Sequence, residues 1–336
     1  MADTIGAELA EQATRALEDS AGVDVLRNLE SGGFPGAAWG AMEALGLGAA
    51  LVPEDRGGAG LGFLDIVPVL EALGRAGAPV PLAEGIGAAA LLAAAGIEVP
   101  EGVLTFAAAG AAVPWGRHAG HVVLVDGARV ALYRAAALRW TEGTNTAREA
   151  RDLAEPTGAP TAEGTLPNAW GAEAAILVTA LLRSAQIAGA MQAALALAVD
   201  HANTRKQFGR PIGRFQAVQQ QLAVFASETS AVSVAAAAAA RAADRRGLAG
   251  AAFEIGCAKV TAGEAAAKGA AIAHQVLAAM GITEEHSLHH LTRRLWSWRE
   301  EGGTERFWSA RLGALVQGTQ GALWTFITDR DEEPAA

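Results

Sequence analysis

The chain holds a single cysteine, Cys257, among 336 residues. One thiol excludes an intramolecular disulfide framework and leaves no cysteine cluster for a metal, so a reducing cytoplasm is its natural compartment. Positive charge is also scarce, 26 basic against 36 acidic residues for a formal net charge of −10. Such a surface repels a phosphate backbone, and no basic face with interleaved aromatics stands outside one short stretch, so nucleic acid is not an expected partner. The opening MADTIGAELAEQATRALEDS alternates acidic and apolar positions in helical fashion and has neither the basic start nor the apolar run of a signal peptide. The apolar run from Ala174 to Leu182 is too short to span a bilayer, and Arg183, Gln186 and Gln192 interrupt the sequence beyond it, so no membrane association is expected. Apolar side chains, by contrast, are plentiful. A hydrophobic content of 51% with 18% charged residues is high for a lone globule and points to apolar surface hidden between subunits. The length alone allows two or three domains or one large assembly subunit.

Three textures succeed one another along the chain. Over residues 1–100 the pattern is helical, with Trp39, Met42 and Leu45 on one face and turns at GGFPG (32–36), PEDRGGAGLG (53–62) and GAPVP (77–81), which gives four or five helices. Over 101–168 it becomes β-prone: GVLTFAA (102–108) reads as a strand, and HVVLVDGARVALY (121–133) as a hairpin around Asp126-Gly127. Over 169–330 long alanine-rich helices return, at 171–205, 213–246, 250–280 and 304–328, broken at Gly209-Arg210-Pro211 and Arg246-Gly247; an acidic tail covers 331–336. Strands and helices do not alternate, which disfavours a doubly wound nucleotide fold. GGAGLG (57–62) lacks a preceding strand and reads as a mobile turn rather than a phosphate cradle.

The one basic stretch is TRKQFGRPIGRFQAVQQQLA (204–223), where Arg205, Lys206, Arg210 and Arg214 surround a turn that opens a helix. Arginines there can aim planar forks of donors at a phosphate, helped by the partial positive charge of the helix start. A charged helix–helix turn making weak surface ion pairs is the plainer alternative on residue type alone.

The same stretch resembles the C-terminal signature of the acyl-CoA dehydrogenases, Arg-x-Gln-Phe-Gly-x-Pro-Ile-x-x-Phe-Gln-x-Val-Gln, almost without interruption. LVPEDRGGAGLGFLDIVPVLEALGRAGAPVP (51–81) is similar to that family's N-terminal helical domain, RSAQIAGAMQAALALAVDHA (183–202) to its long central helix, and HQVLAAMGITEEHSLHHLTRR (274–294) to its Gln-x-x-Gly-Gly-x-Gly loop and the acidic-His-x-Leu-His run after it. The resemblance implies a mainly α protein with a small β domain: an N-terminal helical domain, a middle β domain and a C-terminal four-helix bundle. It further implies FAD held between two subunits, with Arg205 reaching a neighbour's pyrophosphate and Phe208 packing beside it. Gln275 matches the glutamine that holds the adenine end. Implied cofactor contacts are therefore Arg205, Gln207, Phe208, Gln275, Ala279 and Thr304, with Ala278 and Ala279 standing where the family has paired glycines.

Two departures stand out. Nothing between Thr105 and Val125 resembles the family's Thr-Glu-Pro…Gly-Ser-Asp segment, which contacts the flavin ring. The base that takes the α proton while the β hydride goes to the flavin is not obvious either. In SWREEGGTERF (297–307) Gly302 falls in its slot with Glu301 one residue before, and the family's other position falls near Thr179, which has no carboxylate. Glu301 could act as base with Glu300 beside it raising its pKa, or be a solvated acid at a helix end. His286, His289 and His290 sit at i, i+3, i+4, yet no metal is expected, since no supporting groups are identifiable. Trp296, Trp298 and Trp308 read as core or interface anchors.

The resulting expectation is the degenerate subunit of a heteromeric (α2β2) FAD-dependent acyl-CoA dehydrogenase. It resembles the branch that handles bulky acyl-CoAs, steroid-derived ones included, and passes electrons to an acceptor flavoprotein. The rivals are a self-sufficient homotetrameric dehydrogenase using Glu301, a flavin-dependent oxidase or monooxygenase, and a non-enzymatic assembly protein on the same fold.

Overall fold

A computed structural model describes residues 3–20, 23–283, 285–318 and 323–328; the acidic tail lies outside them. Five helices come first: α1 (Asp3–Ser20), α2 (Val23–Glu30), α3 (Gly36–Ala44), α4 (Phe63–Arg75) and α5 (Leu82–Ala94). The strands come next as β1 (Leu104–Ala108), β2 (Val113–Pro114), β3 (His121–Asp126), β4 (Arg129–Arg134), β5 (Leu138–Thr141), β6 (Arg151–Pro156) and β7 (Ala162–Thr165). They form a four-stranded sheet in the order β1-β3-β4-β7 and a three-stranded one, β2-β6-β5. The β3–β4 hairpin pairs Asp126 with Arg129, so its two-residue turn is Gly127-Ala128, one position later than the sequence suggests.

The rest is a bundle: α6 (Ala174–Thr204), a small hairpin of β8 (Lys206–Gln207) and β9 (Arg210–Pro211), then α7 (Gln216–Gly250), α8 (Ala252–Leu277), α9 (Leu288–Glu300), α10 (Glu305–Gln317) and α11 (Leu323–Thr328). Helix α9 falls between the helices expected at 250–280 and 304–328 and is not among them. It is a helix because its charges turn inward, with His290 and Arg294 both buried, and because the His286 imidazole accepts from Leu288 N at 3.1 Å at its start.

Helix α6 is the axis on which the other layers pack. Its crossing with α4 is so close that a Cβ on Gly74 would lie 2.1 Å from the Gln186 carbonyl, and one on Gly189 1.9 Å from the Glu71 carbonyl. Only glycine fits at either point. A second tie joins the N-terminal helices to the bundle: the Asp244 carboxylate of α7 accepts from Phe63 N at 2.6 Å and Leu64 N at 2.9 Å. It thereby satisfies donors that the first turn of α4 would otherwise leave open.

By length and composition, three helices among the described residues could cross a membrane: Ala174–Thr204, Gln216–Gly250 and the stretch Ala252–Ile282. The short run noted at Ala174–Leu182 thus belongs to a helix of 31 residues, because Arg183 and Gln186 are paired inside the protein rather than ending it. The chain itself covers 89% of the apolar window in α6 but only 28% in α7 and 44% in the third. The outward faces of the last two are therefore apolar and uncovered.

Candidate functional site

Chemistry concentrates at the two ends of α6. Near its start, between the β segment and the loop after α9, lies a cleft of about 610 Å³ walled by Phe106, Pro114, Ala175, Thr179, Glu300 and Glu301 among others. Its wall from the β segment is methyl-rich, contributed by Ala107, Ala108, Ala111 and Ala112. The hydroxyl of Thr105 beside them is spent on the Pro114 carbonyl at 2.7 Å.

Two of the residues lining this cleft, Glu301 and Arg151, belong to a chain of ion pairs that alternates in sign. Glu84 on α5 meets Arg183 on α6, Arg183 meets Glu301 at 2.7 Å, Glu301 meets Arg151 of β6 at 2.7 Å, Arg151 meets Glu149 at 3.1 Å, and Glu149 meets Arg294 of α9 at 3.0 Å. Three arginines and three glutamates cancel. Glu84, Arg183, Glu149 and Arg294 are each 5% exposed or less, so every charge depends on its neighbours. Asn145 adds a bond to Glu301 at 3.2 Å, and Arg183 also lies 5.8 Å from the Trp298 ring.

Burial alone would raise the Glu301 carboxyl pKa, but Arg151 and Arg183 outweigh it and hold the group down to about 2. A carboxylate that acidic is a poor proton acceptor at neutral pH. The loop carrying it is fixed from several sides. Gly302 and Gly303 both take positive φ, 70° and 94°, and a Cβ on Gly302 would lie 2.7 Å from Ala180 N. Trp308 Nε1 donates to the Gly302 carbonyl at 2.7 Å. The Lys259 ammonium, pushed down to about 8 chiefly by burial, donates to the Arg299 carbonyl. Thr304 caps α10, its hydroxyl accepting from Phe307 N at 3.3 Å. That bond gives Thr304 a structural task, and it does not line the cleft.

At the far end of α6 the surroundings reverse. The register of β8 and β9 pairs Gln207 with Arg210, so the turn is Phe208-Gly209 rather than the expected 209–211. Both turn residues have positive φ, 51° and 79°, the mark of a type I′ hairpin. Phe208 thus stands at a two-residue tip, 91% exposed, edge-on to Phe215 at 6.1 Å, while the Arg210 guanidinium sits 4.3 Å above Phe215. Arg205 and Gln207 are exposed beside it. Among the described residues, no hydrogen bond or ion pair within the chain engages the Arg205 guanidinium.

Up-and-down packing brings the last turn of α8 to this same end. There Gln275, Ala278 and Ala279 are exposed, and His286 is close enough to His201 to feel its charge. Ala278 takes φ 51° and ψ −135°, a conformation natural to glycine. His289 Nδ1 is bonded to the His286 carbonyl at 2.7 Å. Arg183 and Arg205 are 22 residues apart on one helix, about 33 Å at 1.5 Å per residue. The residues singled out from sequence therefore fall into two places, with Arg205, Gln207, Phe208, Gln275 and Ala279 at one end and Glu301 and Thr304 at the other.

Two family profiles fit this layout: the acyl-CoA dehydrogenase N-terminal domain over residues 7–105 and the acyl-CoA dehydrogenase C-terminal domain over 171–312. Acyl-CoA dehydrogenase IpdE2 of Mycobacterium tuberculosis is 32% identical over 277 residues, 78% of this chain and 81% of that protein. The chain belongs to the acyl-CoA dehydrogenase family. Among solved structures, the ChsE4-ChsE5 complex from Mycobacterium tuberculosis matches 95% of this chain and 98% of its own at a TM-score of 0.84 and 23% identity. The Tcur3481-Tcur3483 steroid acyl-CoA dehydrogenase G363A variant matches 94% and 99% at 0.85 and 24%; at these identities both establish the fold.

FAD is this family's cofactor, and the two ends of α6 suit it unequally. The exposed guanidinium of Arg205 and the amides of Gln207 and Gln275 form a donor set of the right chemistry for a dinucleotide diphosphate and base. The cleft near Glu301 offers methyl groups along β1 and the turn after it, and its hydroxyl and amide groups, on Thr144, Asn145, Thr146, Thr179 and Ser297, stand on its other walls. Sequence reading missed the ion chain altogether. Its signal was present in Arg183, set between AILVTALL and SAQIAGA, and in Glu84, set in an apolar helix, because a charge in such a place is buried only when paired.

Proposed function

We propose that this chain is the non-catalytic subunit of a heteromeric, FAD-dependent acyl-CoA dehydrogenase, built as two copies each of two unlike chains. The reaction is removal of the α proton and β hydride of an acyl-CoA thioester, with FAD, when bound, as the hydride acceptor. This chain contributes binding. Arg205 donates to the diphosphate of a dinucleotide held mainly by the adjoining subunit, Gln207 and Gln275 add amide donors, and Phe208 covers the site against water. The partner contributes the base and the ring contacts, and an electron-accepting flavoprotein takes the electrons onward. Bulky acyl groups of the steroid type are the expected substrates, as the resemblance of the acidic-His-x-Leu-His run implies.

One observation carries this reading: the carboxylate at the cleft is locked between two guanidiniums, while at the other end the Arg205 guanidinium is exposed and, among the described residues, unengaged. Co-expression with the companion subunit should give a yellow complex that reduces its flavin with acyl-CoA, and Glu301→Gln should leave the rate of that reduction unchanged. The chain purified alone should be colourless. A yellow homotetramer that dehydrogenates acyl-CoA without a companion would overturn the proposal in favour of a self-sufficient enzyme.

A further inference from the structure

Behind the cleft is a side chamber of about 20 Å³, lined by Ala83, Glu84, Phe106, Pro114, Thr179, Leu182 and Arg183. Phe106, Pro114 and Thr179 also line the large cleft, so the chamber is the cleft's inner end. Its volume is that of a single oxygen-sized group. One carboxylate oxygen of Glu84 is bound by Arg183; the other, Oε2, is buried and has no hydrogen-bond partner among the described residues. Glu84 is 4% exposed. A buried acceptor left unmade is costly, so such an atom calls for a donor.

The surroundings decide which donor. Ala83, Phe106, Pro114 and Leu182 make the chamber apolar apart from Glu84, Thr179 and Arg183. The Thr179 hydroxyl proton is already given to the Ala175 carbonyl at 2.8 Å. The adjoining ion chain is neutral, three arginines against three glutamates. A cationic ligand would add an unbalanced charge, and an anionic one would meet Oε2 head-on. An uncharged hydroxyl meets neither objection. The cleft in front, at about 610 Å³, is of the size of small-molecule sites and is mostly apolar.

We propose that this cleft binds a lipophilic molecule bearing a neutral hydroxyl at its inner end, the hydroxyl donating to Glu84 Oε2. The ligand is either a hydroxylated acyl thioester or a free lipophilic alcohol. The site requires no base from this chain and so stands apart from the division of labour proposed above.

The test is equilibrium binding by calorimetry to the full chain, or to its complex if it copurifies with another subunit. The probes are octanoyl-CoA, 8-hydroxyoctanoyl-CoA, octanedioyl-CoA and 1-octanol. The hydroxylated ester should bind about tenfold tighter than octanoyl-CoA, and the dicarboxylic ester more weakly than either. Ala83→Val fills the chamber without touching a charge and should abolish the hydroxyl preference while octanoyl-CoA binds as before. Glu84→Gln should reduce the preference to about twofold. Binding of 1-octanol that Ala83→Val removes, with no CoA ester bound, would identify the free alcohol as the ligand and count only against a thioester in this cleft. Equal affinities for the hydroxyl- and methyl-ended esters, a preference unchanged by Ala83→Val, or no binding of any probe would each sink the proposal.

Discussion

Arg183 and Arg205 sit on one helix about 33 Å apart and solve opposite problems. Arg183 is 3% exposed, and its donors go to Glu84, Glu301 and Gln186. Arg205 is exposed, and among the described residues nothing bonds its guanidinium. The first is a charge whose partners are all internal, so it serves the fold. The second is placed beside an exposed aromatic tip and is open to solvent. The proposed division of labour rests on this contrast: a paired acidic end at one side of the helix and an exposed basic end at the other.

That contrast can be broken at either end. The largest effect is expected from Arg183→Met, which strands Glu84 and Glu301 without their shared cation. Loss of one partner from a buried ion pair costs about 3–5 kcal/mol, measurable as a fall in the urea-unfolding free energy. A loss below about 1 kcal/mol would mean that the ion chain is not holding the domains together.

Acid comes next. Glu301 ionises at about 2 in the fold against an ordinary 4.5. Its pKa is depressed on folding, so the stabilisation is complete above the unfolded value and disappears as the pH drops from near 4.5 to near 2. The shift corresponds to about 3 kcal/mol. Unfolding curves from about pH 5 to about pH 2 should show that decline, and Glu301→Gln should flatten it by the same amount. An unaltered slope would place the acid sensitivity elsewhere.

At the exposed end the readout changes from stability to cofactor. Arg205→Ala should shift the unfolding free energy of the chain by no more than about 0.5 kcal/mol. In the complex it should weaken flavin retention by about ten- to a hundredfold, the range for a charge-assisted bond. Equilibrium dialysis of the flavin separates the two effects, and a destabilised chain with undiminished flavin would reverse the contrast.

The smallest change sharpens the same corner. Ala278 holds a glycine-like conformation, φ 51° and ψ −135°. Ala278→Gly should therefore raise stability by about 1 kcal/mol, seen as a higher denaturant midpoint. A lower midpoint would show that the alanine methyl is packed to some purpose.

Legibility in the sequence depended on distance along the chain. The hairpin with Arg205 and Phe208 is a run of consecutive residues, so its motif could be read whole, and the helix–strand–helix order came from periodicity and turn residues. The ion chain draws on positions 84, 149, 151, 183, 294 and 301, which no local pattern joins. Folding alone brings them together. Helix α9 was missed for the same reason: the burial of Arg294 in it depends on Glu149, far away in the sequence. The centre of the Phe208-Gly209 turn slipped by a residue because Phe at positive φ is not what a turn signature leads one to look for.

The Phe208 tip bears on how this protein is made. A stiff hairpin holding a bare phenyl out in water, next to long alanine-rich faces, gives any surplus of the chain a means of sticking to itself. Output of this polypeptide in step with whatever buries that ring would keep the surplus small.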